Sequence, residues 1–436
     1  MDRKTKEEFM LNRTIAPKIT DAIGFNLKLP PSEKHKLKNG VEVYAIDLGE
    51  LDTLMINWIF DAGNFYEEKN LVANAANYLL KNGTSKKNAF EINEHFEYYG
   101  SFLNRACQNE FADISLHCLG KHVNHLLPVV AEMLTDSVFP QEELDIFSKN
   151  MQQRLLVGLK KSEFVAGRLI DAYLFGENHP YGKMSSAEDY AALKQDEIKI
   201  FYEKYYKHGS CVIFVAGKLP KDIIQQLDNN FGSLPLRQRS ASSIKNHHII
   251  PAKEKKYNVV NDVNGVQGSI RIARNFPNRH HPDFSKMQVL NNLFGGFFGS
   301  RLMSNIREDK GYTYGIHSYL MNHIEQSAFL ISTEAGKEVC AATIDEVYKE
   351  MKLLCEELID EEELSQTRNF MIGIILGDLD GPFQVAARWK NIVLNNLDEQ
   401  YFYKGIDIIK TITAKELQEL ADKYFQPGEF YELVVV

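Results

Sequence analysis

LFGGFFGSRLMSNIREDKGYTYGIHSYL, residues 293–320, changes its period in the middle. Leu302, Met303 and Ile306 recur at helical spacing after Ser300, giving a short helix one apolar side. Arg307-Glu308-Asp309-Lys310 is its charged last turn, and Gly311 is the expected C-terminal cap. Beyond the glycine, Tyr314, Ile316, Ser318 and Leu320 alternate along one face of a strand, to which Tyr312, Thr313 and Tyr319 add strand-forming side chains. Arg307 and Tyr314 then point into one space. A guanidinium and a phenol are hydrogen-bond donors that hold no metal and make poor nucleophiles; together they grip a carbonyl oxygen or the oxyanion it becomes. An arginine in a last helical turn also complements the helix dipole, and tyrosines are ordinary strand residues, so spacing alone leaves both readings open.

Around this stretch lies a chain of 436 residues, long enough for two domains with separate cores. Hydrophobic residues at 44% and charged residues at 25% describe an ordinary globular protein. The net charge of −9 and the lack of a basic stripe argue against a nucleic-acid partner. Apolar runs such as 370–376 and 211–216 are too short to span a bilayer, and the charged N-terminus has no signal-peptide core. Five scattered cysteines without a Cys-x-x-Cys pair suit buried thiols in a reducing compartment, so a cytoplasmic location is expected.

The order of predicted elements repeats. A polar arm, residues 1–34, precedes a hairpin that turns at Asn39-Gly40. A strand over 53–60 follows, then helices over 70–80 and 90–99, strands over 102–106 and 111–118, and long helices over 122–136 and 141–161. Another helix begins near Phe164, His179-Pro180-Tyr181-Gly182 is a loop, and a helix over 196–206 leads to a strand over 211–217. Met133, Lys204 and Met151 find counterparts in Met351, Lys423 and Met371, at offsets of 218, 219 and 220 residues. This predicts two homologous α+β halves, 35–231 and 251–436, joined by a linker over 232–250. Each half is expected to be a mostly antiparallel sheet covered on one face by helices.

The glycine cluster, then Ser300-Arg301-Leu302, then Arg-Glu-x-Lys-Gly-x-x-Tyr over 307–314, resembles the second-half signature of the pitrilysin/insulinase-type (inverzincin) zinc peptidases. In length the chain is similar to the short branch that includes the mitochondrial processing peptidases. The resemblance implies a clamshell around a peptide chamber, with Arg307 and Tyr314 holding the substrate backbone opposite a zinc on the first half. It also places the family's His-x-x-Glu-His motif, which precedes a Gly-Thr pair, at Asn74, Asn77 and Tyr78 before Gly83-Thr84. Such a motif puts two imidazoles on one helix face and a carboxylate beside the zinc-bound water. Asparagine amides are poor zinc ligands and cannot take a proton from water. The family's further glutamate ligand falls within 147–162, where no Asp or Glu stands. His122-x-x-His125, with His117 nearby, matches no zinc spacing and is read as solvated or packed. Phe102 and Asn104 match the family's peptide-binding edge strand, although Arg105-Ala106 replace its small-residue pair.

These readings together predict a non-catalytic subunit of a two-chain zinc peptidase. It would bind no cofactor itself, supply Arg307 and Tyr314, bind extended peptides, and pair with a homologous chain that carries the zinc. The alternative is a peptide-binding or assembly scaffold of the same fold without proteolysis. A third reading, an active peptidase with an unorthodox metal site, has least support.

Overall fold

The computed structural model describes residues 21–240 and 247–436; the first twenty residues of the expected arm, 1–34, and the linker centre, 241–246, lie outside them. The first half contains β1 (Glu33–Lys36), β2 (Glu42–Asp47), β3 (Thr53–Phe60), β4 (Phe102–Cys107), β5 (Ala112–Leu119), β6 (Ser210–Gly217) and β7 (Arg237–Gln238). Its helices are α1 (Val72–Leu79), α2 (Ala89–Tyr98), α3 (Val123–Asp136), α4 (Gln141–Gly158), α5 (Ser162–Phe175), α6 (Ala187–Ala191), α7 (Gln195–Tyr202) and α8 (Ile223–Phe231). The second half contains β8 (Lys256–Val259), β9 (Gln267–Phe276), β10 (Thr313–Met321), β11 (Ser327–Gly336) and β12 (Tyr431–Val435). With them run α9 (Asp283–Asn291), α10 (Cys340–Glu356), α11 (Glu361–Asp378), α12 (Pro382–Leu394), α13 (Glu399–Thr411) and α14 (Ala414–Tyr424).

The two sheets repeat strand for strand. The first runs β4-β5-β3-β6-β2, continued by β1, and the second runs β10-β11-β9-β12-β8. In each, the first three pairings are antiparallel and the last is parallel. The repeat seen in sequence is therefore a repeat of topology, and β4 and β10 occupy the same place at the edge of each sheet. Residue 237, inside the expected linker, already pairs with β6.

Helices cover one face of each sheet as expected, and the opposite face receives a single helix from the other half. Helix α5 lies on β9 and β12, and α12 lies on β6 and β2. Ala166, Ile170 and Leu174 of α5 share a core with Ala273, Leu330 and Leu433 of the second sheet. Val385, Ala386 and Ile392 of α12 share the other core with Ile46, Ile59 and Phe214 of the first. This reciprocal cover explains why CVIFVA in β6 is apolar without alternation: residues 211–216 are all buried, because both faces of a central strand meet helices. The described end of the arm is held by the second half, where Leu27 and Leu29 are buried and the Trp389 indole donates to the Pro30 carbonyl at 2.8 Å.

Polar ties cross the junction as well. Arg239, in the linker, pairs with the buried Asp61 at 3.0 Å and donates to the Leu394 carbonyl at the end of α12 at 3.3 Å. The His179–Gly182 loop, expected to be structural, is wedged there too. The Tyr181 hydroxyl donates to Glu110 at 2.5 Å, and the same carboxylate accepts the Ile324 amide at 3.0 Å. Glu110 lies between β4 and β5 and Ile324 between β10 and β11, so the two edge hairpins meet tip to tip. Burial pushes the Glu110 carboxyl above its ordinary value.

Candidate functional site

Arg307 sits in the last turn of a short helix, Met303–Asp309, which is wound as a π-turn rather than the α-helix expected. Leu302, Met303 and Ile306 are buried as their spacing requires. The helix is anchored from outside: Arg301 forks onto Glu363 of α11 at 2.7 and 2.8 Å, and the Asn305 amide bonds Glu346 and Glu350 of α10. Gly311 ends it with φ +65°, and the Tyr312 amide donates back to the Ile306 carbonyl at 3.0 Å. The preceding glycine cluster permits a close approach, since a Cβ on Gly295 would stand 2.6 Å from the Ser318 hydroxyl of β10.

The structure brings Arg307 and Tyr314 together, but not as strand alternation implied. Tyr314 was expected on the face of Ile316 and Ser318; those two are buried, whereas Tyr314 is 93% exposed. A bulge between Thr313 and Ile316 shifts the register and turns Tyr314 outward. The Thr313 hydroxyl, which accepts the Gly315 amide at 3.1 Å, holds the bulge. The Arg307 guanidinium carbon lies 5.7 Å from the Tyr314 ring centre and 4.5 Å from that of Phe298, itself 60% exposed. Unlike Arg301, Arg307 has no carboxylate partner among the described residues. It is a cation held between two exposed rings, with guanidinium donors left for an incoming acceptor. Sequence reading missed Phe298; its place next to the glycine cluster was the available signal.

The first-half positions are packed otherwise. Asn77 is buried, and its amide donates to the Tyr206 hydroxyl at 3.1 Å. Asn74 is half-buried on α1. The Tyr78 ring stands 4.8 Å from Phe147 of α4, with the Arg105 guanidinium 5.2 Å from its centre. Arg105 also donates to the Tyr78 carbonyl at the end of α1, where a cation complements the dipole. Burial pushes its guanidinium down to about 10. Zinc needs three anionic or imidazole ligands converging on one point. Here an amide donor, a stacked phenol and a guanidinium converge instead, and a fixed cation repels a metal ion. The residues present do not fit the zinc of the resembling family, and among the described residues no group of three His, Cys, Asp or Glu could hold a metal ion.

Phe102 and Asn104 both point to solvent from the edge strand β4, Phe102 at 69% exposure. No hydrogen bond, ion pair or ring contact among the described residues joins them to Arg307 or Tyr314. The histidines are separated: His122 and His125 pack on Tyr99, whereas His117 meets Phe383 of the second half edge-on at 5.6 Å.

Residues 192–371 match the family model described as the peptidase M16 inactive domain. That stretch is similar to the M16 peptidases. The chain is 23% identical over 415 residues to an uncharacterized zinc protease, YmxG, of Bacillus subtilis, covering 93% of this chain and 98% of that one. A second relative, 23% identical over 381 residues and covering 84% of each chain, is named a non-peptidase homolog, YmxG, of Helicobacter pylori. Among solved structures, an M16 inactive domain from Pseudomonas fluorescens superposes with a TM-score of 0.84 at 21% identity, covering 93% of this chain and 98% of that one. The M16 relationship thus joins the α+β fold with paired halves to a family whose members' names divide between protease and non-peptidase.

Proposed function

We propose that this chain is the Arg/Tyr-bearing, non-catalytic subunit of a two-chain zinc-dependent peptidase, binding extended peptides between its halves. One observation carries the reading: Arg307 is held without a carboxylate between Phe298 and Tyr314, while Arg105, Tyr78 and Phe147 fill the site where a metal would bind. Arg307 itself is half-buried, but the two rings beside it, Tyr314 at 93% and Phe298 at 60%, are left in solvent as packing residues would not be. In this reading the zinc belongs to a homologous partner subunit. The guanidinium of Arg307 and the hydroxyl of Tyr314 donate to the substrate carbonyl presented to that zinc, and Phe102 and Asn104 line an edge to which a peptide adds as a strand. The halves, 35–231 and 251–436, act as the two shells, in the cytoplasm.

The test is peptide cleavage by this chain reconstituted with a homologue that carries a complete His-x-x-Glu-His motif. Tyr314→Phe deletes one hydroxyl and is expected to slow turnover about a hundredfold, the usual consequence of losing one oxyanion donor. Arg307→Lys should not rescue, because an ammonium lacks the planar fork. Wild-type cleavage by both variants overturns the reading. The second reading, a peptide-binding scaffold without proteolysis, is favoured by the non-peptidase name of the Helicobacter relative. It predicts peptide binding that weakens in both variants and no cleavage with any partner. Metal analysis of the untagged chain after dialysis checks the cofactor assignment; about one zinc per chain refutes it.

A further inference from the structure

A cavity of about 330 Å³ opens between α9, α11, α12 and α13, at the end of β10 remote from Tyr314. Its volume lies just above the roughly 300 Å³ at which ligand pockets begin. The wall is mixed: Met371, Ile374 and Ile406 give it apolar patches beside a polar surface of similar extent. Three charged side chains line it: Arg279, Asp378 and Arg388. Arg388 bonds Asp378 and that pair is neutral. Arg279 stacks 5.6 Å from the Phe284 ring centre and has no carboxylate partner among the described residues, so the cavity keeps one positive charge.

Two further lining groups are unsatisfied. The side-chain oxygen of Asn291, a residue only 8% exposed, has no hydrogen-bond partner, and neither has the buried Tyr401 hydroxyl. A buried acceptor without a donor is costly, and a ligand N–H would relieve it. Gly405 supplies a third observation. It lies inside α13, where glycine is a poor helix former, yet a Cβ there would meet no atom within 4 Å. Neither packing nor the backbone requires the glycine, and its missing side chain leaves room in the wall.

We propose that this cavity binds the C-terminal end of a short apolar peptide. The carboxylate pairs with Arg279 and accepts from Tyr401, a peptide N–H donates to Asn291, and aliphatic side chains lie along Ile374 and Ile406. The site is independent of the role given to Arg307. The probe is the dipeptide Leu-Leu, titrated calorimetrically into the full chain, with C-amidated Leu-Leu and octanoate as comparators. Saturable binding of Leu-Leu is expected, weakened at least tenfold by amidation or by Arg279→Met. Octanoate, which lacks the N–H, should bind more weakly than Leu-Leu. Gly405→Leu fills the space and should abolish binding while melting at or above the wild-type temperature. If that variant fails to fold, Arg279→Met decides alone. No saturable binding by the wild type, equal binding by octanoate, or unchanged binding in a folded Gly405→Leu overturns the proposal.

Discussion

Strands β4 and β10 hold the same place in two sheets built in the same order, yet the helices beside them have diverged in opposite directions. Beside β4, α1 carries Asn77 into a buried contact with Tyr206, while Tyr78, partly open to solvent, lies against Phe147 and Arg105. Beside β10, the short helix holds Arg307 out between two exposed rings. The first cluster packs ring against ring and guanidinium against ring, because burial of aromatic surface is favourable. The second leaves a cation without a carboxylate and two rings in water, against the same driving force. The contrast teaches that the second edge leaves aromatic surface uncovered where the first packs it against neighbours.

Four experiments break or sharpen that contrast. The reciprocal helices are the largest lever. Val385→Asp buries a carboxylate where α12 covers the first sheet, and should cost on the order of 5 kcal/mol. Because α12 belongs to one half and covers the other, urea unfolding should weaken both halves in one transition; loss of the second half alone would show them to be independent. Arg239→Met removes the guanidinium that pairs with the buried Asp61 and should destabilise by about 3–5 kcal/mol, without changing affinity for a peptide at β10. A fall in peptide affinity would show that the junction sets the geometry of both edges.

The third test is pH. Burial pushes the Glu67 carboxyl, in the turn before α1, up to about 7 from an ordinary 4.5. The folded chain therefore holds this proton more tightly than the unfolded chain, so its contribution to stability is fullest below about 4.5 and is lost as the pH rises through about 7. Glu67→Gln should remove a slope on the order of 3 kcal/mol across that window, read from melting curves between pH 5 and 8. An unchanged slope means the carboxyl titrates normally. The smallest effect belongs to the second edge: Tyr314→Phe and Arg307→Lys should each shift stability by less than about 0.5 kcal/mol, since the tyrosine is exposed and the arginine unpaired. A loss of several kcal/mol in either would make the pair a packing element and remove the contrast.

Local pattern carried much of this into the sequence. The helical spacing of Leu302, Met303 and Ile306, the turn at Asn39-Gly40, where φ at the glycine is +85°, and the cap at Gly311 all depend on near neighbours, and all are found as expected. The repeat offsets anticipated two sheets of one topology. The neighbourhood of Arg307 and Tyr314 was legible because helix, cap and strand follow one another directly. Phe298 was not, because its role depends on a fold-back over Gly295 that places it against a residue nine positions later.

What the sequence by itself determined is thus whatever short-range periodicity and stereochemistry dictate: the elements, their order, the doubling, and the lack of imidazole or carboxylate at the three motif positions. Only the tertiary structure decided the rest. Whether Tyr314 faces core or solvent turned on a bulge held by Thr313. The cover of each sheet by the other half's helix, the Glu110–Tyr181 tie between hairpin tips, and the filling of the α1 face by Arg105 are contacts between residues 27 to more than 200 positions apart. Such pairings depend on the path of the whole chain, because two distant side chains meet only after the elements between them have packed.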